Sequence, residues 1–259
     1  MRLTIITIVY NNQSEIEDTI KSVLKNRNPD IEYILIDGGS TDATMEIVER
    51  YRAQFAHIVS EKDDGISDAF NKGIRLATGD LIGMINAGDF LMDNTYSLLE
   101  RAYSPSIDVY YGDSTTLYEE GHRVVQKALP LHHIRYRMPF CHQSTFVSRT
   151  AYGKYGVYSL DYRICMDYEL FYRMFSRGAK FQYIPEPLSE FRRGGVSDTN
   201  YRKILEEKKK VAVRYGKHTV AMDLYYRAWA MKFWVRKWVK RFGLLGTFRR
   251  IRDKARTDR

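Results

Sequence analysis

An α/β fold, parallel in its first half and mixed in its second, is the architecture that this sequence predicts. Buried strand patterns alternate with helical patterns through residues 1–104, and that order produces parallel strands joined by right-handed crossovers. After Pro105 the segments alternate around turn residues, which is typical of antiparallel strands. With 259 residues, 44% of them hydrophobic, the chain is long enough to bury a core without disulfide or metal support.

The first half is predicted to contain four strands separated by three helices. Residues 3–9 are continuously apolar and rich in β-branched side chains, as expected for a strand covered on both faces. A helix is predicted from Asn12 to Lys25 because apolar residues such as Ile16 and Ile20 recur at helical spacing. The same reasoning gives the remaining elements in order: a strand at Ile31–Ile36, a helix at Thr44–Phe55, a strand at His57–Ser60, a helix at Ser67–Ala77 and a strand at Leu81–Asn86.

The second half is predicted to combine antiparallel strands with one helix. Val109–Leu117 and Arg123–Ala128 flank a glycine-containing turn and predict a hairpin. The other predicted elements are a strand at Gln143–Ser148, a helix at Ile164–Ser176, and two strands, Lys180–Ile184 and Leu188–Phe191, around Pro185 and Pro187. No linker separates the halves, so we expect two lobes that share one sheet.

Positive charge is concentrated at the C-terminal end. The chain has a net charge of +9, and residues 227–259 alone hold 12 Lys and Arg against 2 Asp and Glu. This segment predicts a cationic amphipathic helix that lies on an anionic membrane surface. Its apolar residues fall near helical spacing: Met231, Trp234, Trp238, Phe242 and Leu245. The alternative is a helix docked on the core with a solvated basic face. Nucleic acid is not an expected partner, because no recognition motif accompanies the charge.

Three strand ends in the first half carry polar loops, Tyr10–Asn12, Asp37–Asp42 and Asn86–Asp89. Ligands of doubly wound sheets bind at the carboxyl ends of strands, although each loop alone is also compatible with an ordinary turn. No glycine-rich dinucleotide or P-loop motif is present, so we expect a nucleotide held through its base and sugar. Tyr10 can stack on a base, and Asp37 can accept a hydrogen bond from a base or ribose.

The position of Asp89 predicts that a divalent cation binds at the end of the fourth strand. A lone carboxylate would repel a diphosphate leaving group unless a cation lay between them. Hard oxygen ligands select Mg²⁺ or Mn²⁺ rather than zinc. The alternative is that Asp89 caps the following helix.

Seven motifs follow one another in unbroken order along residues 1–200. They are Tyr10-Asn11, Asp37–Asp42, Asp64–Gly73, Asn86–Asp89, Cys141–Ser144, Asp167–Leu170 and Ser189–Ser197. Together they resemble glycosyltransferase family 2, and the last three are similar to those of bacterial exopolysaccharide transferases, including the colanic-acid type. The resemblance implies the GT-A fold: a Rossmann-like nucleotide-binding half at 1–104 with a mixed central sheet, an acceptor half at 105–200, and C-terminal amphipathic helices in a basic segment at 201–259.

The resemblance also implies a donor site and a metal site. Its donor-nucleotide residues are Tyr10, Asn11, Asp37, Asp64, Asn71 and Asn86. The Asn86–Asp89 motif stands where the family usually has Asp-x-Asp, and Asn86 replaces the first acid. Asp89 is then the carboxylate left to hold Mn²⁺ or Mg²⁺.

Asp167 matches the catalytic base of the family, which takes the proton of the acceptor hydroxyl in an inverting displacement. Taken alone, an Asp at this position is equally compatible with a helix cap. Glu169 lies on the opposite side of the helix, and we do not expect it to substitute for Asp167. The motif that contains His142 and Gln143 places them on the wall of the cleft between donor and acceptor, although a lone histidine is also compatible with a structural role. Gly194-Gly195 is predicted to form a hinge or lid because a glycine pair gives the backbone freedom, and the alternative is an ordinary loop before the next helix.

The sequence therefore predicts an inverting, metal-dependent hexosyl- or deoxyhexosyltransferase. It would move a sugar from a UDP- or GDP-linked donor to a polyprenyl-linked saccharide in bacterial surface-polysaccharide synthesis. We expect it in the cytoplasm, peripheral on the inner face of the cell membrane, and two cysteines without C-x-x-C spacing agree with a reducing compartment. The alternatives are a nucleotidyltransferase, which would need a basic glycine-rich loop after the first strand, and a catalytically inactive nucleotide- or carbohydrate-binding module, which the weakened Asn86–Asp89 motif favours.

Overall fold

A computed structural model of the chain describes residues 1–26, 28, 30–118, 121–192 and 201–215, with Leu224, Tyr225, Ala228 and Met231 beyond them. Contacts divide the chain into two compact units, Met1–Gly216 and Lys217–Arg259. The fold and the candidate site lie in the first unit. Gly194, Gly195 and the predicted amphipathic helix, apart from Ala228 and Met231, lie outside the described residues. No helix in the described part of the chain is long and apolar enough to cross a membrane.

The described ranges contain nine strands that form one mixed sheet. They are β1 (Leu3–Val9), β2 (Ile31–Asp37), β3 (His57–Ser60), β4 (Leu81–Met84), β5 (Phe90–Leu91), β6 (Val109–Leu117), β7 (Arg123–Gln126), β8 (Thr145–Ser148) and β9 (Phe181–Arg192). Their order is β3-β2-β1-β4-β8-β6-β9-β5, and β7 pairs with β6. The pairs β1–β2, β1–β4 and β2–β3 are parallel, which confirms the parallel first half. The β6–β7 pair is antiparallel, which confirms the predicted hairpin.

Seven α-helices cover the two faces of this sheet in the same described ranges. They are α1 (Ile16–Lys25), α2 (Thr44–Glu49), α3 (Ile66–Leu76), α4 (Thr95–Ala102), α5 (Arg149–Tyr155), α6 (Met166–Ser176) and α7 (Tyr201–Tyr215). Two buried apolar clusters lie between sheet and helices, and alternate residues of β1 and β2 contribute to one or the other. Helices α3, α5, α6 and α7 pack on one cluster, whereas α1, α2 and α4 pack on the other.

Several predicted boundaries were wrong. The two strands predicted around Pro185 and Pro187 are one strand, β9, which pairs in parallel with β6. The register shifts on either side of Asp113, and this irregularity accommodates residues that lack an N–H for the ladder. The predicted helix at Thr44–Phe55 ends at Glu49 and is followed by a short 3₁₀ turn at Arg52–Gln54. β5, α4 and α5 were not predicted.

β4 ends two residues earlier than predicted, at Met84. Ile85–Asp89 therefore form a loop at the carboxyl end of the strand rather than its last residues. Because β1, β2 and β4 are parallel neighbours, the loops that follow them emerge at the same edge of the sheet. This edge carries the three polar loops identified in the sequence.

Candidate active site

A cavity of about 960 Å³ opens beside the loop that follows β4. It brings together five of the residues singled out in the sequence: Asn86, Asp89, His142, Gln143 and Asp167. The first two come from the nucleotide half of the predicted fold and the other three from the acceptor half. The structure thus joins residues up to 81 positions apart in one space.

Asp89 is held by a tight turn that α1 stabilises. Its backbone N–H donates to the carbonyl of Asn86 over 2.9 Å. Gly88 has φ of +95°, and a Cβ there would lie 2.7 Å from Oε2 of Glu15, so the turn requires glycine. The fully buried Thr19 hydroxyl accepts from Gly88 N–H and donates to the Asp89 carbonyl, each over 2.9 Å. Because β5 follows directly and α4 begins only at Thr95, Asp89 does not cap a helix.

The Asp89 carboxylate lies in a poorly solvated position. Burial raises its pKa to about 7, against hydrogen bonds from Gln143 and from the backbone N–H of Arg192, while the nearby Glu15 charge raises it further. Gln143 donates to it through Nε2 over 2.8 Å. A positive charge next to a buried carboxyl group with a raised pKa stabilises its charged form.

The donor atoms of this turn fit a divalent metal shared with a substrate. Oδ1 of Asn86 is buried and has no hydrogen-bond partner in the part of the chain that the structure describes. It is therefore a hard oxygen ligand available near the Asp89 carboxylate. Among the same described residues, no group of three His, Cys, Asp or Glu side chains is arranged to hold a metal. Mg²⁺ and Mn²⁺ sites built from one or two protein oxygens are usually completed by substrate phosphates.

Asp167 lies in the first turn of α6 and lines the cavity. Its Oδ1 accepts from the backbone N–H of Tyr168 over 2.6 Å. Glu169 is fully buried and forms an ion pair with Arg173, with N–O distances of 2.9 and 3.1 Å. This confirms that Glu169 faces away from the cavity and is committed to the core.

His142 forms part of the cavity wall near Asp167. Burial lowers the pKa of its imidazole, whereas the charge of Asp167 raises it. Its Nε2 lies 2.6 Å from the hydroxyl oxygen of Tyr158, and its ring lies 5.3 Å from that of Phe70. The wall beside Asp167 is therefore aromatic, with a polar edge at His142.

Tyr10 lies at a separate part of the same sheet edge and does not line the cavity. Its side chain is 63% exposed. A Cβ on Gly38 would lie 3.5 Å from the Tyr10 ring and only 2.7 Å from Oδ2 of Asp63, so a larger residue there would require the Asp63 side chain to move. Asn11 joins this loop to the next, because its Oδ1 accepts from Thr41 N–H over 2.8 Å. Stacking of the exposed Tyr10 ring on a base stays a prediction.

Asp37 has hydrogen bonds that the sequence did not predict. It is fully buried and accepts from the backbone N–H groups of Gly39 and Ser40 and from the hydroxyls of Ser40 and Ser60. These bonds shape the loop after β2, and a base would have to displace one of them. Contact between Asp37 and a nucleotide stays a prediction.

Asn71 and Asp64 do not line the cavity either. Asn71 is buried, and its amide pairs with the backbone of Tyr158, accepting over 3.0 Å and donating over 2.9 Å. It therefore joins α3 to the segment that carries the partner of His142. Asp64 is exposed before α3, and its N–H donates to Oδ2 of Asp68. Their contacts with a donor nucleotide also stay predictions.

Glu15 and Arg192 line the cavity but were not assigned to it from the sequence. They form an ion pair with an N–O distance of 2.8 Å, which links the end of β9 to the start of α1. In the sequence Glu15 is simply an acid in the first turn of a helix. The 177 residues between the two leave no local pattern that reveals the contact.

Comparisons with known proteins agree with this geometry. The sequence model of Glycosyl transferase family 2 matches residues 4–158. A PGL/p-HBAD biosynthesis glycosyltransferase of Mycobacterium tuberculosis is 29% identical over 228 residues, which cover 82% of this chain and 86% of that protein. An uncharacterized glycosyltransferase of the same species is 30% identical over 185 residues, with coverage of 66% and 68%.

Solved structures with the same fold extend the comparison. S. aureus TarS 1–349 in complex with UDP-GlcNAc has a TM-score of 0.66 at 14% identity, covering 87% of this chain and 70% of that one. The mannosyltransferase PcManGT from Pyrobaculum calidifontis, in complex with GDP-Man and Mn²⁺, has a TM-score of 0.65 at 18% identity, with coverage of 88% and 69%. The fold is thus the GT-A fold that the motifs implied, and the chain belongs to glycosyl transferase family 2.

Proposed function

We propose that this chain is an inverting, metal-dependent glycosyltransferase that uses a UDP- or GDP-linked sugar as donor. The observation that carries the proposal is that Asp89 and Asp167 line one cavity, one at the end of the parallel sheet and the other on the acceptor side. Two proteins of similar fold are known with UDP-GlcNAc and with GDP-Man, which supports a nucleotide-sugar donor. The family match to residues 4–158 supports the transfer of a sugar.

Asp167 is the proposed catalytic base. Inversion requires a single displacement at the anomeric carbon, in which the acceptor oxygen attacks while the bond to the diphosphate breaks. The Asp167 carboxylate takes the proton of the acceptor hydroxyl as it attacks. His142 and Phe70 form the wall against which the sugar ring lies.

Asp89 and the Oδ1 of Asn86 would hold the Mn²⁺ or Mg²⁺ ion. When bound, such an ion neutralises the charge that develops on the departing diphosphate. Gln143 orients the carboxylate of Asp89, and Thr19 fixes the turn. Because the described residues offer so few metal ligands, a nucleotide diphosphate would supply the remaining ligands of the ion.

We propose a polyprenyl-linked saccharide as acceptor, in the synthesis of a bacterial surface polysaccharide. The supporting feature is the basic segment at 227–259, which suits an anionic inner membrane surface where a lipid-linked acceptor is found. In this proposal residues 1–104 bind the donor, 105–200 bind the acceptor, and the C-terminal segment at 201–259 contains the basic residues that associate with the membrane.

Isothermal titration of UDP and GDP, each with and without Mn²⁺, tests the donor and metal sites together. We expect one nucleotide to bind at least about tenfold more tightly with Mn²⁺, and Mn²⁺ alone to bind weakly because the diphosphate supplies the remaining ligands. Asp89→Asn should abolish the Mn²⁺ effect, and Asp93→Asn, a carboxylate outside the cavity, should preserve it. Equal affinity with and without metal would contradict the metal role of Asp89. Failure of both nucleotides to bind would favour a non-catalytic module.

A further inference from the structure

α7 packs on the helix that carries Asp167. Val211 and Ala212 of α7 are fully buried, and Val211 belongs to the same apolar cluster as Tyr168 and Phe171 of α6. α7 lies beyond the residues matched by the family model, and the proposed mechanism gives it no part in the site. It is nevertheless built into the compact unit that contains the cavity.

Glu207 of α7 accepts hydrogen bonds from three consecutive backbone N–H groups. Its Oε1 lies 3.1 Å from the amide nitrogen of Arg163, and its Oε2 lies 2.9 Å and 2.8 Å from those of Ile164 and Cys165. These residues come directly before α6, which begins at Met166. The Glu207 carboxylate therefore accepts a hydrogen bond from each backbone N–H of residues 163–165, the turn that leads into α6.

This arrangement anchors the start of a helix that has no local side-chain cap. A side chain at the N-cap position usually accepts from the first N–H groups of a helix. In α6 that position is Cys165, which forms no side-chain cap bond to the described residues. Glu207, from 42 to 44 residues along the chain, instead accepts from the N–H of Cys165 and from those of the two residues before it, and its negative charge suits the helix N-terminus.

α7 also balances the charge at this corner. Lys208 is half-buried beside Glu207, and its ammonium lies 5.9 Å from the centre of the Tyr168 ring. Burial lowers the pKa of Lys208, whereas Cys165 and Asp167 raise it. The cation of α7 therefore lies within electrostatic reach of Asp167.

We propose that Glu207 is a positioning residue for Asp167. By fixing the turn at 163–165, it sets where α6 begins, and so where the Asp167 carboxylate meets the acceptor hydroxyl. The inference rests on the proposed role of Asp167 as the base. Glu207 touches no substrate in this scheme and acts through the backbone of α6.

The test uses Glu207→Ala and Glu207→Gln in the full chain, with Glu206→Gln as the matched control. Glu206 is the exposed neighbour on the same helix, so its substitution changes the charge without touching the turn. Two quantities are measured below the melting temperature of every variant. They are hydrogen exchange of the amides of residues 163–165, and kcat and KM for release of nucleoside diphosphate from UDP-glucose, UDP-GlcNAc or GDP-mannose, whichever the wild type turns over.

We expect Glu207→Ala to speed exchange at the three amides by about tenfold or more, because each loses a charge-assisted bond. We also expect kcat to fall by about tenfold or more, with KM for the donor unchanged, since the base is displaced and the donor site is not. Glu207→Gln keeps one acceptor oxygen and should lie between Ala and wild type. Glu206→Gln should match wild type in both measurements.

Wild-type exchange in Glu207→Ala would overturn the cap, and faster exchange with wild-type kcat would reduce Glu207 to a structural residue. Asp167→Asn, measured in parallel, separates this inference from the proposed function. If Asp167→Asn keeps turnover, the base assignment and the catalytic part of this inference fail together, and the exchange result still reports on the cap. If only Glu207→Ala keeps turnover, the base stands and the positioning role fails.

Discussion

Two carboxylates of the same cavity have different surroundings, and the difference suits different tasks. Burial raises the pKa of Asp89 to about 7, and Gln143 holds it in one orientation. Such a group gains most from a cation beside it. Asp167 lies in the first turn of α6, near His142, whose imidazole pKa is lowered by burial. A carboxylate at that place is available to take a proton from an incoming hydroxyl.

Asp167→Asn tests this division of roles at a single atom. Asn has the same shape as Asp but cannot accept the proton, so we expect kcat to fall by about 10²- to 10⁴-fold. Nucleotide affinity should stay near wild type because the proposed donor-binding residues lie on elements other than α6. The measurement is nucleoside diphosphate release together with calorimetric nucleotide binding.

Asp161→Asn is the control for that substitution. Asp161 is an exposed carboxylate in the segment before α6, paired with Arg214 and outside the cavity. Asp161→Asn removes the same negative charge as Asp167→Asn and should keep wild-type turnover. Retained turnover in Asp167→Asn would exclude it as the base.

At the scale of elements, the predictions from the sequence were correct where a local residue pattern determines the secondary structure. β1 was predicted at its observed bounds, because a run of β-branched apolar residues favours a strand over other secondary structure. The polar loops after β1, β2 and β4 were also predicted to share one edge, since parallel strands dictate it. β9 was predicted as two strands because Pro185 and Pro187 interrupt its pattern, and only the pairing with β6 shows how the bulge accommodates them.

The parts of the site that escaped prediction are contacts between distant segments. Thr19 holds the Asp89 turn across 70 residues, and Arg192 pairs with Glu15 across 177. Asp37 and Asn71 are polar residues of recognisable motifs, yet their hydrogen bonds in the structure go to the protein itself. These hydrogen bonds and ion pairs depend on how the helices and strands pack together. The spacing of residues along the chain does not predict them.

The junction of β1 and β2 provides a test of stability against pH. Glu32 of β2 is buried and accepts from the backbone N–H and hydroxyl of Thr78, each over 2.7 Å, and from Thr4. Burial raises its pKa, but these bonds and the charge of Arg2 together hold the pKa below its usual 4.5. Its contribution is therefore complete above the unfolded-state pKa and is lost as the pH falls through the lower folded-state value.

We expect Glu32→Gln to lower the free energy of unfolding at pH 7 by about 1–3 kcal/mol, because bonds to a charged acceptor are lost. The difference from wild type should shrink below about pH 4, where Glu32 in the unfolded chain is protonated. Urea denaturation at both pH values measures it. Glu49→Gln, which removes an exposed ion pair with Arg52, should change stability little. A Glu32→Gln deficit that is the same at both pH values would contradict the linkage.

At the scale of the whole molecule, charge and chemistry are divided between different stretches of the chain. The residues before 227 hold 29 basic and 30 acidic side chains, so the cavity lies in a nearly neutral body. The basic segment follows it and begins after the first compact unit, which ends at Gly216. An enzyme whose acceptor is lipid-linked needs no charge at its active site to reach a membrane, because a separate cationic segment provides the attraction.

Removal of residues 225–259 tests that division. We expect the full chain to sediment with vesicles that contain phosphatidylglycerol, and binding to weaken with salt, because the attraction is largely electrostatic. The shortened protein should stay in the supernatant and keep its nucleotide affinity, since the proposed donor site lies within residues 1–104. Trp234→Ala with Trp238→Ala in the full chain preserves the charge and should bind with intermediate strength, because the tryptophans supply the apolar part of the interaction. Undiminished sedimentation of the shortened protein would assign the membrane contact to the body of the enzyme instead of its basic segment.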